Sequence, residues 1–355
     1  MAIILFDLDL RTTDNPAFFH AIKNHQLVTP IFILDEKNKR KIGGALKVAL
    51  NQALKILSDD LKENFGLNLI IKKGDSLEIL SDIFTKEKIS AIYFNRACEP
   101  YNISLHKEIK NLANKNSIQV FDFHAQTIFE FDEIKNQSGG YFKVFTPFFN
   151  HCKKNFNKIT NALPKPVKSG LKQLNLKSDK LDLLPKINWQ KNFDLDFDYE
   201  KIEKNIDNFL NKKVLNYKQA RNLPSLSGTS KISTYLSLGL ISPKQIFFKI
   251  QNALLTHGND ENIDQYLAEI FWREFCHHLL FNFPSLLNKP FKNDFKNFPW
   301  IENKELFAKW KKGETGFPIV DAGMRELWQT GLMHNRVRMI VGSFLVKDLL
   351  ISWTK

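Results

Sequence analysis

Across the first 125 residues, short apolar runs alternate with longer helix-period segments, and that alternation restricts the fold to a parallel α/β sheet. The runs Ala2–Phe6, Val28–Leu34, Leu67–Ile71, Ala91–Phe94 and Ile118–Phe123 are the expected strands. Between the second and third, Ala45–Phe65 places Leu46, Ala49, Leu50, Ala53, Leu54, Leu57 and Leu61 on one face at helical spacing, with Gly66 as the stop. That segment reads as a crossover helix. No glycine-rich dinucleotide fingerprint follows the first strand; the chain continues as Asp7-Leu8-Asp9-Leu10-Arg11-Thr12-Thr13-Asp14-Asn15-Pro16, with no sign of an NAD site. A doubly wound sheet by itself leaves the function open.

A chain of 355 residues exceeds what one core usually supports, so two domains are expected. From about His151 to Glu200, Lys, Asn, Pro164, Pro166 and Pro185 dominate and neither period persists, which reads as a connector. Beyond it, helical segments are expected near 201–213, 230–238, 243–255, 260–282, 303–312, 318–330 and 335–352. The expected plan is a doubly wound parallel-sheet α/β domain over 1–130, a connector over 131–200 and an all-α domain over 201–355.

A net charge of +13 suits a partner made of phosphates. The charge rests on 43 lysines against 8 arginines, beside many Asn, Ile and Phe, so codon composition explains it equally well. The few arginines are more informative, since lysine does not replace a planar, five-donor guanidinium. Five of them, Arg221, Arg273, Arg325, Arg336 and Arg338, fall in the C-terminal half. Cys98, Cys152 and Cys276 are odd in number and in no ligand spacing, so neither a disulfide framework nor a metal site is expected. With no basic leader before Phe6 and no apolar run long enough for a bilayer, the expectation is a cytoplasmic chain without a membrane partner.

Three blocks carry candidate chemistry. In Tyr217-Lys-Gln-Ala-Arg221 through Gly228-Thr229-Ser230-Lys231-Ile232-Ser233, Gly228 permits close backbone approach to a ligand and the hydroxyls suit a diphosphate. An ordinary N-cap by Thr229 or Ser230 accounts for the same residues. In Tyr266–His278, Glu269, Trp272, Arg273 and Cys276 share one helical face, which suits a nucleobase pocket or an internal salt bridge beside a core tryptophan. His277 and His278 adjoin and so point to different faces, which argues against a metal pair. From Trp310 to Trp353, Asn335, Arg338 and Met339 fall on one face, backed by Val337, Ile340, Val341 and Phe344.

In order and wording these blocks resemble the photolyase/cryptochrome family, in its class I cyclobutane-dimer branch. The Asp-Leu-Arg-x-x-Asp-Asn-Pro opening and Phe145-Thr146-Pro147-Phe148 agree with it, and the resemblance covers most of the chain. It implies an α/β antenna domain and an all-α FAD domain. By similarity, Tyr217, Thr229, Ser230, Lys231, Ile232, Ser233, Tyr266, Arg273, Asn335 and Arg338 would line FAD. Arg221, Glu269, Trp272, Arg273, Asn335, Arg336 and Met339 would meet UV-damaged DNA. The family's chemistry is electron transfer from light-excited reduced flavin to the dimer, with Glu269 stabilising the dimer anion. Six-four photolyases carry two histidines where Asn335 and Met339 stand, which favours the cyclobutane-dimer reading. Trp300 and Trp353 resemble members of an electron-relay chain.

Relatives of this kind continue beyond the helix that ends near Trp353, and this chain ends at Lys355. The expectation is therefore a helical domain lacking its C-terminal part, with exposed apolar surface. A gene fragment, a split protein with a complementing C-terminal polypeptide, and a non-catalytic derivative are the three readings of that end. Near Glu99-Pro100-Tyr101-Asn102 the chain resembles an antenna cleft, and methenyltetrahydrofolate, deazaflavin or no chromophore all remain open. The implied functions are light-driven dimer repair by a monomer or, in another class, cryptochrome-like sensing or DNA binding without repair.

Overall fold

The computed structural model describes residues 1–38, 41–193 and 196–355. Its N-terminal half is built on five strands, β1 (Ala2–Phe6), β2 (Val28–Asp35), β3 (Ile70–Gly74), β4 (Ala91–Arg96) and β5 (Gln119–His124). All pairings are parallel and the order is β3-β2-β1-β4-β5. Helices α1 (Pro16–Asn24), α2 (Gly44–Phe65), α3 (Ser76–Lys86) and α4 (Pro100–Lys115) connect them. Every residue of β1 is buried, as a central strand covered on both faces requires. The crossover helix α2 ends as its sequence predicts: Gly66 adopts φ 66° and donates to the carbonyls of Leu61 and Lys62. The third strand starts three residues later than Leu67. Leu67 still belongs to the helix stop, with its N–H on the Leu61 carbonyl at 3.1 Å, and the ladder begins where Ile70 meets Ile31.

The stretch that reads as a connector is bound to the sheet. Lys172 bridges to Leu27: the Val28 N–H donates to the Lys172 carbonyl at 2.8 Å, and the Lys172 N–H donates to the Gln26 carbonyl at 2.9 Å. Ser178 and Asp179 cover the edge of β3 through Ile71 and Lys73. An open strand edge is thereby closed by chain that has no period of its own.

The second half is helical: α5 (Phe145–Lys154), α6 (Tyr199–Asn208), α7 (Tyr217–Ala220), α8 (Ser233–Leu238), α9 (Pro243–His257), α10 (Glu261–Asn282), α11 (Lys304–Lys312), α12 (Pro318–Thr330) and α13 (Asn335–Ser343). The helix expected to reach 352 stops at Ser343 and widens into a π-helical turn over Phe344–Asp348. The Leu350 carbonyl then bonds the N–H of Ile301, which draws the chain off the helix axis.

The two halves share one hydrophobic core, running from Ala2 and Phe6 through Leu238 and Ile246 to Phe275. Polar groups fix how they dock. The Arg11 guanidinium donates to the carbonyls of Asp14, Ala125 and Gly239, the Leu10 N–H meets the Leu238 carbonyl, and the Ser242 hydroxyl bonds the Asp14 carboxylate. A smaller, separate core of Val320, Met324, Met333, Val337, Val341 and Phe344 holds α12 and α13 together. Phe317, Ile319, Trp328, Met339 and Ile340 stay exposed around it.

Candidate functional site

A cavity of about 1370 Å³ opens where the C-terminal ends of the strands face the helical half. Parallel sheets bind ligands at that end, at the point where the direction of winding reverses, here between β1 and β4. The volume exceeds that of ordinary small-molecule pockets, so a large ligand fits with space remaining.

On the helical side the lining includes Tyr217, Arg221, the stretch Thr229–Ser233, Tyr266, Glu269, Arg273, Asn335 and Arg338. Tyr217 and Tyr266 meet edge to face at 5.1 Å between ring centres, both buried. Burial pushes the Tyr217 phenol up to about 12. The Tyr266 hydroxyl, buried beside Ser230, has no hydrogen-bond partner of good geometry among the described residues. Helix α8 begins at Ser233 without a side-chain cap, so Thr229 and Ser230 do not spend their hydroxyls on its N-terminus. Arg338 is exposed to the cavity and makes no ion pair among the described residues. Gly228 is needed for a different reason from the expected one: a Cβ there would lie 2.6 Å from the Ala220 Cβ, so the glycine admits α7 and not a ligand.

Glu269 forms an ion pair with Arg221 and accepts from Gln265 at 3.0 Å. The Arg221 guanidinium also sits 5.4 Å over the Tyr217 ring. Arg273 donates to the Gln126 carbonyl at 2.8 Å and lies 3.7 Å from Glu274. Its chain neighbour Trp272 points elsewhere. It lies flat on Phe145 at 3.8 Å, 43% exposed, and does not line the cavity. Arg336 and Met339 are outside the lining as well; Arg336 donates to Asn222 at 2.8 Å and approaches the Met339 sulfur at 3.5 Å. Trp300 and Trp353 touch edge to face at 5.4 Å, again away from the cavity.

The sheet side contributes Asp7 and Asp35, which motif reading passed over, beside Glu99, Tyr101 and Asn102 of the stretch that resembles an antenna cleft. Asn102 donates to Asp7 at 2.8 Å. Burial, and then the neighbouring carboxylates of Asp9 and Glu99, push Asp7 up to about 7. Burial likewise pushes Glu274 up to about 7, against the pull of Arg273. The available signal was the Asp-Leu-Asp wording at the C-terminal end of the first strand.

An acid whose folded value is raised binds more protons folded than unfolded, so its stabilisation is present below the unfolded value and is lost as pH rises through the folded one. Stability should therefore fall between pH values near 3.8 to 4.5 and about 7, and Asp7→Asn or Glu274→Gln should each flatten that fall. With Asp7 partly solvated from the cavity, about 1–2 kcal/mol each is expected at neutral pH. Urea midpoints measured from pH 4 to pH 8 check this, and parallel curves for wild type and both variants would reject it.

A family model described as DNA photolyase matches residues 2–168, and one described as the FAD binding domain of DNA photolyase matches residues 266–355. A deoxyribodipyrimidine photo-lyase of Agrobacterium fabrum is 36% identical over 360 residues, covering 99% of this chain and 74% of that protein. A bacterial class III photolyase structure from Agrobacterium tumefaciens superposes with a TM-score of 0.91 at 35% identity, covering 99% of this chain and 74% of that one. A Synechocystis cryptochrome structure superposes with a TM-score of 0.87 at 23% identity, covering 100% of this chain and 76% of that one, a likeness of fold alone.

Proposed function

We propose that this chain, which belongs to the DNA photolyase/cryptochrome family, repairs cyclobutane pyrimidine dimers in UV-damaged DNA with light, using FAD held in the cavity between its halves. The observation that carries the proposal is that every residue expected at the flavin lines that one cavity. The donor set suits the cofactor. Thr229, Ser230 and Ser233 offer hydroxyls for a diphosphate, Arg338 offers a guanidinium without another partner among the described residues, and Tyr266 offers a buried hydroxyl with none of good geometry. Reduced FAD, when bound, would supply the light-excited electron on which dimer splitting depends.

The chain's own residues would bind and orient. Glu269, at the cavity wall, would hydrogen-bond the flipped dimer, and Arg221 and Arg336 would meet DNA phosphates. Trp272 would meet the lesion from outside the cavity, with the face that Phe145 leaves open. Trp300 and Trp353, in contact, would relay electrons from the surface. The carboxylates of Asp7 and Asp35 suit a second chromophore that presents N–H donors, whether folate or deazaflavin. The motifs resemble the class I branch, whereas the Agrobacterium relative is a class III photolyase, so the proposal rests on the family and not on the branch. No helix among the described residues is long and apolar enough to cross a membrane.

The deciding experiment loads the chain with FAD, reduces it, and illuminates it with blue light in the presence of a thymine-dimer oligonucleotide. Dimers should disappear in light and persist in darkness. Bound flavin with no light-dependent repair would overturn the proposal in favour of a cryptochrome-like role.

A further inference from the structure

The loop after β4 carries Cys98 and Glu99, and α10 carries His277, 178 or more positions along the chain. The fold brings the Cys98 sulfur, a Glu99 carboxylate oxygen and a His277 ring nitrogen within 4.8 Å of one another. Two features show that this corner is prepared for a further partner. His277 Nδ1 faces the Arg273 carbonyl at 2.9 Å; donating there fixes the tautomer and leaves Nε2 as a free lone pair, the arrangement that orients metal-binding histidines. Glu99 accepts from Gln126 on one oxygen at 3.3 Å, while its other oxygen is buried with no hydrogen bond of good geometry among the described residues, the Cys98 thiol being an interacting neighbour. A buried carboxylate oxygen without a good hydrogen bond is costly enough to require an explanation.

We propose that Cys98, Glu99 and His277 form a zinc-class divalent metal site that clips the sheet domain to α10 at the wall of the cavity. One thiolate, one imidazole and one carboxylate are ligands that zinc accepts, and three protein ligands leave a fourth position open toward the cavity that Glu99 and His277 line. Metal–ligand bonds of about 2.0–2.3 Å set donors about 3.3–3.8 Å apart, so small side-chain rotations close the site. The charges balance. Metal binding displaces the Cys98 thiol proton to solvent, the thiolate and the Glu99 carboxylate together offset the dication, and Arg273, the facing cation, is already paired with Glu274 at 3.7 Å. Spacing along the sequence held no ligand pattern because the ligands come from opposite domains.

Cobalt(II) added to the chain tests this. One equivalent should bind, with a sulfur-to-cobalt charge-transfer band that zinc bleaches. Cys98→Ser should remove the band, whereas Cys152→Ser and Cys276→Ser should keep it. His277→Gln should weaken cobalt binding about 100-fold, the upper end of what losing even an outer-shell partner costs. Zinc should raise the thermal midpoint of the wild type and leave that of His277→Gln in place. Absence of the band in the wild type, its survival in Cys98→Ser, or equal zinc shifts in wild type and His277→Gln would overturn the proposal. If Cys98→Ser fails to fold by circular dichroism, the His277→Gln affinity decides alone.

Discussion

Gly239→Ala should destabilise the folded chain by about 3 kcal/mol and loosen the contact between its two halves. Gly239 ends α8 at φ 68°, where an L side chain costs about 1–2 kcal/mol. A Cβ placed there would lie 2.3 Å from the Leu8 carbonyl oxygen and 2.4 Å from the Asp9 Cα, both backbone atoms that do not rotate away. Relieving that overlap means shifting the segment after β1, which adds about 1–3 kcal/mol of overpacking. The same segment holds Leu10, bonded to the Leu238 carbonyl, and Arg11, bonded to the Gly239 carbonyl at 2.9 Å. Gly66→Ala is the internal control, because Gly66 has φ 66° and open space around it, so only the conformational cost of about 1–2 kcal/mol applies. Urea unfolding of the two variants measures the difference. Equal losses would show that the close approach to Leu8 and Asp9 does not matter.

Glu269→Ala should reduce light-driven dimer repair about 100-fold, the cost of removing one group placed where charge develops. DNA affinity should change by less than about threefold, or about 0.7 kcal/mol. The asymmetry follows from the pairing of Glu269 with Arg221: deleting the carboxylate frees a guanidinium that then has only phosphate to meet. A steeper salt dependence of binding, by about one unit of log–log slope, should accompany the change. Glu269→Gln, which keeps a hydrogen-bonding side chain, should fall between wild type and alanine. Repair yields per photon and filter binding on the same oligonucleotide separate the effects, and parallel losses of repair and affinity would remove Glu269 from its proposed role.

How far the sequence could be read depended on the range of the force involved. The periods of β1, α2 and α10 arise between residues a few positions apart, and the stop at Gly66 needs only its own left-handed conformation; these elements stand where the sequence places them. Boundaries shifted where a distant partner intervened. Ile31 sets the start of β3, and Ile301 draws the chain away after the π-helical turn that follows α13. The connector lacked a period because it borrows its order from the edge of β3.

The same division holds for the site. The motif wording sufficed to name the family and to gather Tyr217, the Thr229–Ser233 stretch, Tyr266, Arg273, Asn335 and Arg338 around one cavity, since a family's order of blocks is itself a linear property. Helical spacing put Glu269, Trp272 and Arg273 on one face, but only packing turned Trp272 onto Phe145 and left Glu269 and Arg273 at the cavity wall. Gly228 had a readable identity and an unreadable reason, because Ala220 at the end of α7 approaches it. Cys98, Glu99 and His277 illustrate the limit: none stands in a ligand spacing within its own stretch of chain, and they become a cluster only when a β–α loop and a helix from opposite halves are pressed together. Short-range periodicity and motif order determined the fold class and the family. Burial, charge and metal-ligand geometry, which sum over neighbours in space, were decided by the tertiary structure alone.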